Sequence, residues 1–207
     1  MKRSTFFHVV FVSILACVFS LAAWADSAAA GSDPSVIIKT SMGSITVQLD
    51  PAHAPKTVAN FLSYVDKKAY DGTIFHRVIP GFMIQGGGFK PDMTEISYDA
   101  PVANEEPSSG LKNLRGTIAM ARTQDPDSAT AQFFLNLIDN IGGTKPDGSP
   151  IVDLDPNEQG PGYAVFGKIT DGLDVINKIA QVPTGPKGDM ENVPTEPVTI
   201  ISVRRQS

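Results

Sequence analysis

The chain has 207 residues, 42% of them hydrophobic and 19% charged, which suits one globular domain with a sizeable core and argues against disorder. A formal charge of −5 excludes the basic stripe that a nucleic-acid binder sets against phosphates. Eighteen glycines and sixteen prolines call for many tight turns and short strands.

Lys2 and Arg3 precede an apolar run from Phe6 to Ala23 that ends in Ala23-Trp24-Ala25, a small-x-small pattern that signal peptidase cuts. Residues 1–25 are therefore expected to be a cleaved export signal, residues 26–34 a flexible tether and residues 35–205 a single domain. A lesser alternative is a lipoprotein anchored at Cys17, because Ile14-Leu15-Ala16-Cys17 approximates a lipidation site; the apolar residues after Cys17 count against it. Cleavage leaves 15 basic against 22 acidic residues, no cysteine, and only His53 and His76 as imidazoles. Thiol chemistry and zinc sites built on thiolates or several histidines are thereby excluded, and no metal or other cofactor is expected.

The domain opens with Val36–Thr40 and Ser44–Leu49, a hairpin in which Ile45, Val47 and Leu49 alternate with polar neighbours. Pro55 suits the first turn of a helix over 55–67, and Val58, Phe61, Leu62 and Val65 make its apolar stripe. Further strands are expected at Thr73–Ile79, Phe82–Gly86, Gly116–Arg122, Phe133–Leu137, Ala164–Ile169 and Val198–Arg204. Asp171 is placed to cap a second helix whose Leu173, Ile176 and Ile179 or Ala180 share a face. Eight strands and two helices without βαβ alternation point to a closed barrel or a sandwich. The stretch from Asp139 to Gly162 is long, irregular and rich in Gly, Pro and Asp, as functional or inserted loops are.

Residues able to carry chemistry concentrate in Phe75-His-Arg-Val-Ile-Pro-Gly-Phe-Met-Ile-Gln-Gly-Gly87. Strict alternation puts Phe75 and Arg77 on one face and His76 and Val78 on the other, and the Pro80-Gly81 turn returns Phe82, Met83 and Gln85 nearby. A second cluster runs Gly116-Thr-Ile-Ala-Met-Ala-Arg122, followed by Gln132-Phe-Phe-Leu-Asn136. His76 as the general base of a hydrolase is the weaker reading, since it is expected to face away from Arg77 and no nucleophile elbow accompanies it. Asp153-x-Asp155-x-Asn157 opens like a calcium loop, but Glu158 and Ala164 stand where its turn glycine and closing Glu belong. Glu105-Glu106 reads as a loop charge pair.

With these blocks in view, the sequence resembles the cyclophilin family of peptidyl-prolyl cis–trans isomerases, most like its exported bacterial members. The resemblance runs through the opening hairpin, Thr57-Val-Ala-Asn-Phe61, Phe75–Gly87, Gly116–Ala121, Ser128–Phe134 and Val165-Phe-Gly-Lys-Ile169, that is, essentially the whole mature chain. It implies a mainly β fold, a closed eight-stranded antiparallel β-barrel capped by two α-helices. It also implies Arg77 as the catalytic residue, with Phe82, Met83 and Phe134 in the wall of a proline pocket and Gln85 and Gln132 holding the substrate backbone. Ala121 and Arg122 would line the groove, Tyr163 stands where many relatives have a rim histidine, and Leu154 is matched loosely to a ligand-touching leucine. Many relatives also carry a tryptophan in the pocket-side loop, and the mature chain has none, so weak cyclosporin binding with catalysis retained is expected. The partners implied are proline-containing unfolded or flexible polypeptides in the periplasm, with no nucleic acid, no membrane attachment after signal cleavage, and a monomeric enzyme. The alternative from another class is a proline-binding chaperone or scaffold with little turnover.

Overall fold

The computed structural model describes residues 33–206; the expected export signal, Cys17 and most of the expected tether lie outside the described residues. Its strands are β1 (Ser35–Thr40), β2 (Gly43–Leu49), β3 (Thr73–Ile79), β4 (Met83–Gly86), β5 (Thr117–Met120), β6 (Phe133–Asn136), β7 (Val165–Asp171), β8 (Thr184–Lys187), β9 (Met190–Pro194) and β10 (Thr199–Gln206). All but β8 and β9 close a barrel in the order β1-β10-β3-β4-β6-β5-β7-β2, every neighbouring pair antiparallel. The eight-stranded antiparallel barrel expected from the resemblance is thus present, and closure leaves no barrel edge unpaired.

Period-2 alternation fills the interior. Val36 and Ile38 of β1, Ile45, Val47 and Leu49 of β2, Ile84 of β4, Ile118 and Met120 of β5, Phe133 and Leu135 of β6, and Phe166 of β7 all belong to one buried core. Helix α1 (Pro55–Asp66) follows the end of β2 and plugs that end of the barrel, with Phe61 packed against the rings of Tyr70, Phe133 and Phe166 at centroid distances of 5.3, 5.7 and 5.1 Å. A single turn, α2 (Glu106–Ser109), precedes β5. Helix α3 (Leu173–Ile179) packs on β2 near its other end, at Gly43.

Several local expectations need correction. Asp171 ends β7 and does not cap α3; the cap position is Gly172, at φ 92° with the Ser44 carbonyl where a side chain would begin. Leu173 is exposed, and the buried face of α3 is Val175, Ile176 and Ile179. The third helix, α2, and the two-stranded sheet of β8 and β9 join the two helices and eight strands expected. One turn is too short to show helical periodicity, and the prolines at 183, 186 and 194 hide the hairpin, because proline cannot donate to a ladder.

Glu105 and Glu106 are not a simple loop charge pair, since both residues are buried and Glu106 begins α2. The Glu105 carboxylate accepts hydrogen bonds from the backbone N–H groups of Lys56 and Thr57 (3.1 and 2.7 Å) and from the Thr57 hydroxyl (2.8 Å). It therefore caps α1 from a distant part of the chain, where Ala54 at the N-cap offers no side-chain acceptor. Glu106 has one carboxylate oxygen without a hydrogen-bond partner. Burial and then the Asp155 charge raise its pKa from 4.5 to about 7, with Lys112 opposing and Asp153 adding to the shift.

The folded state accordingly keeps a proton on Glu106 that the unfolded chain releases near pH 4.5, so stability falls as pH rises from there through about 7. Glu106→Gln is expected to raise the stability measured by urea unfolding at pH 8, on the order of 1–3 kcal/mol, and to give no gain at pH 5.

Candidate functional site

The same alternation that fills the barrel builds a second, smaller apolar cluster on its outer face. Met83, Ala119, Phe134, Leu154 and Val165 form it, with Phe82, Ala121 and Tyr163 packed alongside. Cross-strand register aligns these positions: Arg77 pairs with Gln85, Gln85 with Phe134, Phe134 with Ala119, and Ala119 with Val165. One row of side chains thus crosses five strands, from a cation through an amide to an aromatic ring and two small apolar groups.

Arg77 joins this row because β3 is irregular. The register of β3 against β4 shifts between Phe75 and Arg77, so Phe75 and Val78 both enter the core while Arg77 is turned out to solvent. The strict alternation expected from sequence fails here: Phe75 and Arg77 do not share a face. His76 does not face away from Arg77 either, since both line one cavity, and His76 is buried with its ring edge-on to Phe89 at 4.7 Å. Burial first, and then the Arg77 charge, lower the His76 pKa from 6.5 to about 4. The imidazole is therefore buried and much less basic than a free one, which ill suits a general base.

Around the outer cluster lies a cavity of about 100 Å³. Of the ten residues singled out in the sequence, nine line it: Arg77, Phe82, Met83, Gln85, Ala121, Arg122, Phe134, Leu154 and Tyr163. The tenth, Gln132, borders the neighbouring cavity and accepts a hydrogen bond from Gln85 Nε2 at 2.9 Å. Gln132 Nε2 donates in turn to the Tyr98 hydroxyl (3.0 Å), so both amides are oriented. Arg77 itself makes no hydrogen bond or ion pair to any described residue, and its guanidinium stands free beside the apolar wall.

Arg122 behaves differently from Arg77. Its Nε and Nη2 donate to the Gly162 carbonyl (3.1 and 2.9 Å), its Nη1 donates to the Thr123 carbonyl (2.9 Å), and its guanidinium lies 4.3 Å from the Tyr163 ring centroid. Tyr163 meets Phe134 edge-on at 5.7 Å. Arg122 is thereby tied into the rim, and Gly162 is required there, since at φ 73° a side chain would strike the backbone of Asp155 and Pro156.

A buried amide network that sequence reasoning missed supports the cavity from below. Asn113, Asn136 and Asn140 are fully buried. Asn140 Nδ2 donates to the Phe82 carbonyl (3.0 Å) and to Asn136 Oδ1 (2.7 Å), and Asn136 Nδ2 donates to Asn113 Oδ1 (3.1 Å). Asn113 Nδ2 reaches the carbonyls of Leu154 and Tyr163 at 3.0 and 3.1 Å. Three wall residues from separate segments are so held by one network. The only hint in the sequence is an asparagine ending the apolar run Phe133-Phe-Leu-Asn136.

The 139–162 segment is folded back on itself by isolated bridges between Ile141 and Asp153 and between Thr144 and Pro150, and it delivers Leu154 to the cavity. Asp155 accepts from the Asn113 backbone N–H (2.8 Å) and pairs with Lys112 (3.2 Å), a structural use of a residue that resembles a calcium ligand in sequence. Among the described residues no group of three or more His, Cys, Asp or Glu side chains is arranged to hold a metal ion. No helix among them is long and apolar enough to cross a membrane.

Comparison with known proteins assigns the barrel. Residues 35–205 match the family model described as cyclophilin type peptidyl-prolyl cis-trans isomerase. Peptidyl-prolyl cis-trans isomerase A of Dickeya dadantii is 48% identical over 187 residues, covering 90% of this chain and 92% of its own. Peptidyl-prolyl cis-trans isomerase B of Escherichia coli is 49% identical over 169 residues, 81% of this chain and 97% of its own. Among solved structures, a cyclophilin type isomerase of Cryptosporidium parvum, crystallised in the presence of the dipeptide Ala-Pro, superposes with a TM-score of 0.65 at 28% identity, over 84% of this chain and 99% of that one. A barrel of this topology, matched along its whole length, places the chain in the cyclophilin-type family of peptidyl-prolyl cis–trans isomerases.

Proposed function

We propose that this chain accelerates X–Pro rotation by donating from Arg77 to the proline nitrogen while the apolar cavity grips the proline ring, and that it does so for exported polypeptides in the periplasm. The observation that carries the mechanism is the free Arg77 guanidinium held in one cross-strand row with Gln85 and Phe134 at the cavity mouth.

Rotation about a peptide bond faces a barrier of roughly 18–20 kcal/mol, because the nitrogen lone pair is delocalised into the carbonyl. No covalent bond breaks. At the twisted state the lone pair is localised on a pyramidal nitrogen, and a fixed N–H donor stabilises that state more than either planar one. A guanidinium keeps its donors at every ordinary pH, and the apolar wall of Met83, Phe134 and Leu154 strengthens the interaction by excluding water. Lowering the barrier by about 5–7 kcal/mol gives four to five decades of rate. Gln85 and Gln132, held by their mutual hydrogen bond, serve as donors and acceptors for the substrate backbone beside the ring. Neither a metal nor a redox group enters these steps. The export role rests on the signal-like segment of residues 1–25, and the clients would be proline-containing chains not yet folded.

Three outcomes test this reading on the mature protein. Arg77→Ala, folded as judged by circular dichroism, is expected to lose about 100- to 1000-fold in kcat/KM on an Ala-Pro peptide; a loss under fivefold contradicts the mechanism. The wild-type rate is expected to stay nearly flat from about pH 6 to 9, because burial holds the His76 pKa down at about 4, below that range, and an N–H donor mechanism needs no general acid or base; a step near 6.5 would point to an imidazole instead. Cyclosporin is expected to inhibit only at micromolar or higher concentration, the mature chain lacking a tryptophan at the pocket; nanomolar inhibition in the same assay contradicts this.

A further inference from the structure

Arg77 and Gln85 face two cavities, not one. Beyond them a second hollow of about 400 Å³ is bounded on its far side by Met190, Glu191 and Asn192 of β9, a strand that packs directly on β3. Phe89 and Met190 give this hollow apolar surface, Gln132 adds a polar edge, and Glu191 is its single acidic group. The Glu191 side chain is exposed and makes no ion pair with any described residue.

The wall shared by the two cavities fixes what the second one receives. On the reading proposed above, the proline ring fills the first cavity and its nitrogen lies at Arg77. The residue before the proline is bonded to that nitrogen, so it emerges over Arg77 and Gln85 and its side chain is delivered to the second cavity. An apolar floor with one carboxylate at the rim fits a side chain with an aliphatic stem and a cationic head. We propose that Glu191 makes the enzyme favour Lys or Arg immediately before the proline, an inference that rests on the isomerase reading of the neighbouring site.

The other charges nearby do not supply this preference. Arg77 alone would favour an anion, but on the reading above its guanidinium is engaged at the proline nitrogen, which leaves Glu191 to set the sign. His76 is buried and neutral above pH 4 or so. Lys90 and Lys187 lie outside the cavity lining, their ammonium groups donating to the carbonyls of Asp71 (2.6 Å) and Pro91 (2.9 Å). Asp189 lies on the same hairpin but outside the cavity lining.

The test compares kcat/KM of the mature protein on four peptides that differ only in Lys, Arg, Ala or Glu before the proline, at about 0.15 M salt, where charges more than about 8 Å apart are largely screened. Lys-Pro is expected to exceed Glu-Pro by about three- to tenfold, the scale set by an attractive charge pair at an exposed position in one peptide and a repulsive pair in the other. Glu191→Lys is expected to invert that ratio and Asp189→Asn to preserve it. In the wild type, salt near 1 M is expected to collapse the ratio towards one, a readout that does not depend on any variant folding. Turnover with no charge preference, or a preference that Glu191→Lys leaves unchanged, overturns this inference alone. A folded wild type that turns over none of the four peptides overturns the isomerase reading and this inference with it.

Discussion

A one-residue irregularity in β3 governs the site. In a regular strand Arg77 would share the inward face with Phe75, and a guanidinium inside an apolar barrel core would have no partner and a prohibitive desolvation cost. The register shift at His76 lets Phe75 and Val78 both fill the core while Arg77 turns outward, directly opposite Gln85. Barrel closure then does the rest: because β3, β4, β6, β5 and β7 are consecutive neighbours, the outward positions of five strands fall into one row. Core and site are two faces of one sheet, and the alternation that fills one builds the other.

That arrangement explains why so much structure is spent on the rim. The outward face of a barrel is open to water, yet the proposed chemistry needs a dry apolar wall beside a cation. Leu154 supplies the cover from the 139–162 segment, and the Asn113–Asn136–Asn140 network fixes that cover to the sheet through the carbonyls of Phe82, Leu154 and Tyr163. Arg122 clamps the other side by holding the Gly162 carbonyl and lying over Tyr163. The two arginines therefore divide the work: Arg122 is tied into the protein, and Arg77 stays available to a ligand.

Much of this was legible in the sequence, for identifiable reasons. Alternating strands such as Ser44–Leu49 announce themselves because one face is buried, and α1 does so because its stripe recurs at helical spacing. Phe82, Met83 and Gln85 are brought near Arg77 by the Pro80-Gly81 turn, but Leu154 and Tyr163 join them in sequence only through the family resemblance, since no local pattern ties either to Arg77. The bulge at His76 was not legible, because nothing in Phe75-His-Arg-Val78 departs from an ordinary strand sequence; only pairing with β4 reveals it. The Glu105 cap on α1 was missed for a similar reason, its partners lying 48 and 49 residues away. The β8–β9 hairpin was hidden by its prolines, and with it the acidic wall of the second cavity went unseen.

The central claim is that Arg77 acts on the rotating bond and not on holding the peptide. It is tested most directly by NMR exchange between the cis and trans forms of an Ala-Pro peptide, with Kd determined on the same samples, for the wild type and Arg77→Ala. The account predicts a Kd within about threefold of the wild type and exchange enhancement largely abolished in the variant, as expected for a contact made mainly in the transition state. Exchange that survives in Arg77→Ala, or that is lost only in proportion to peptide binding, would contradict it.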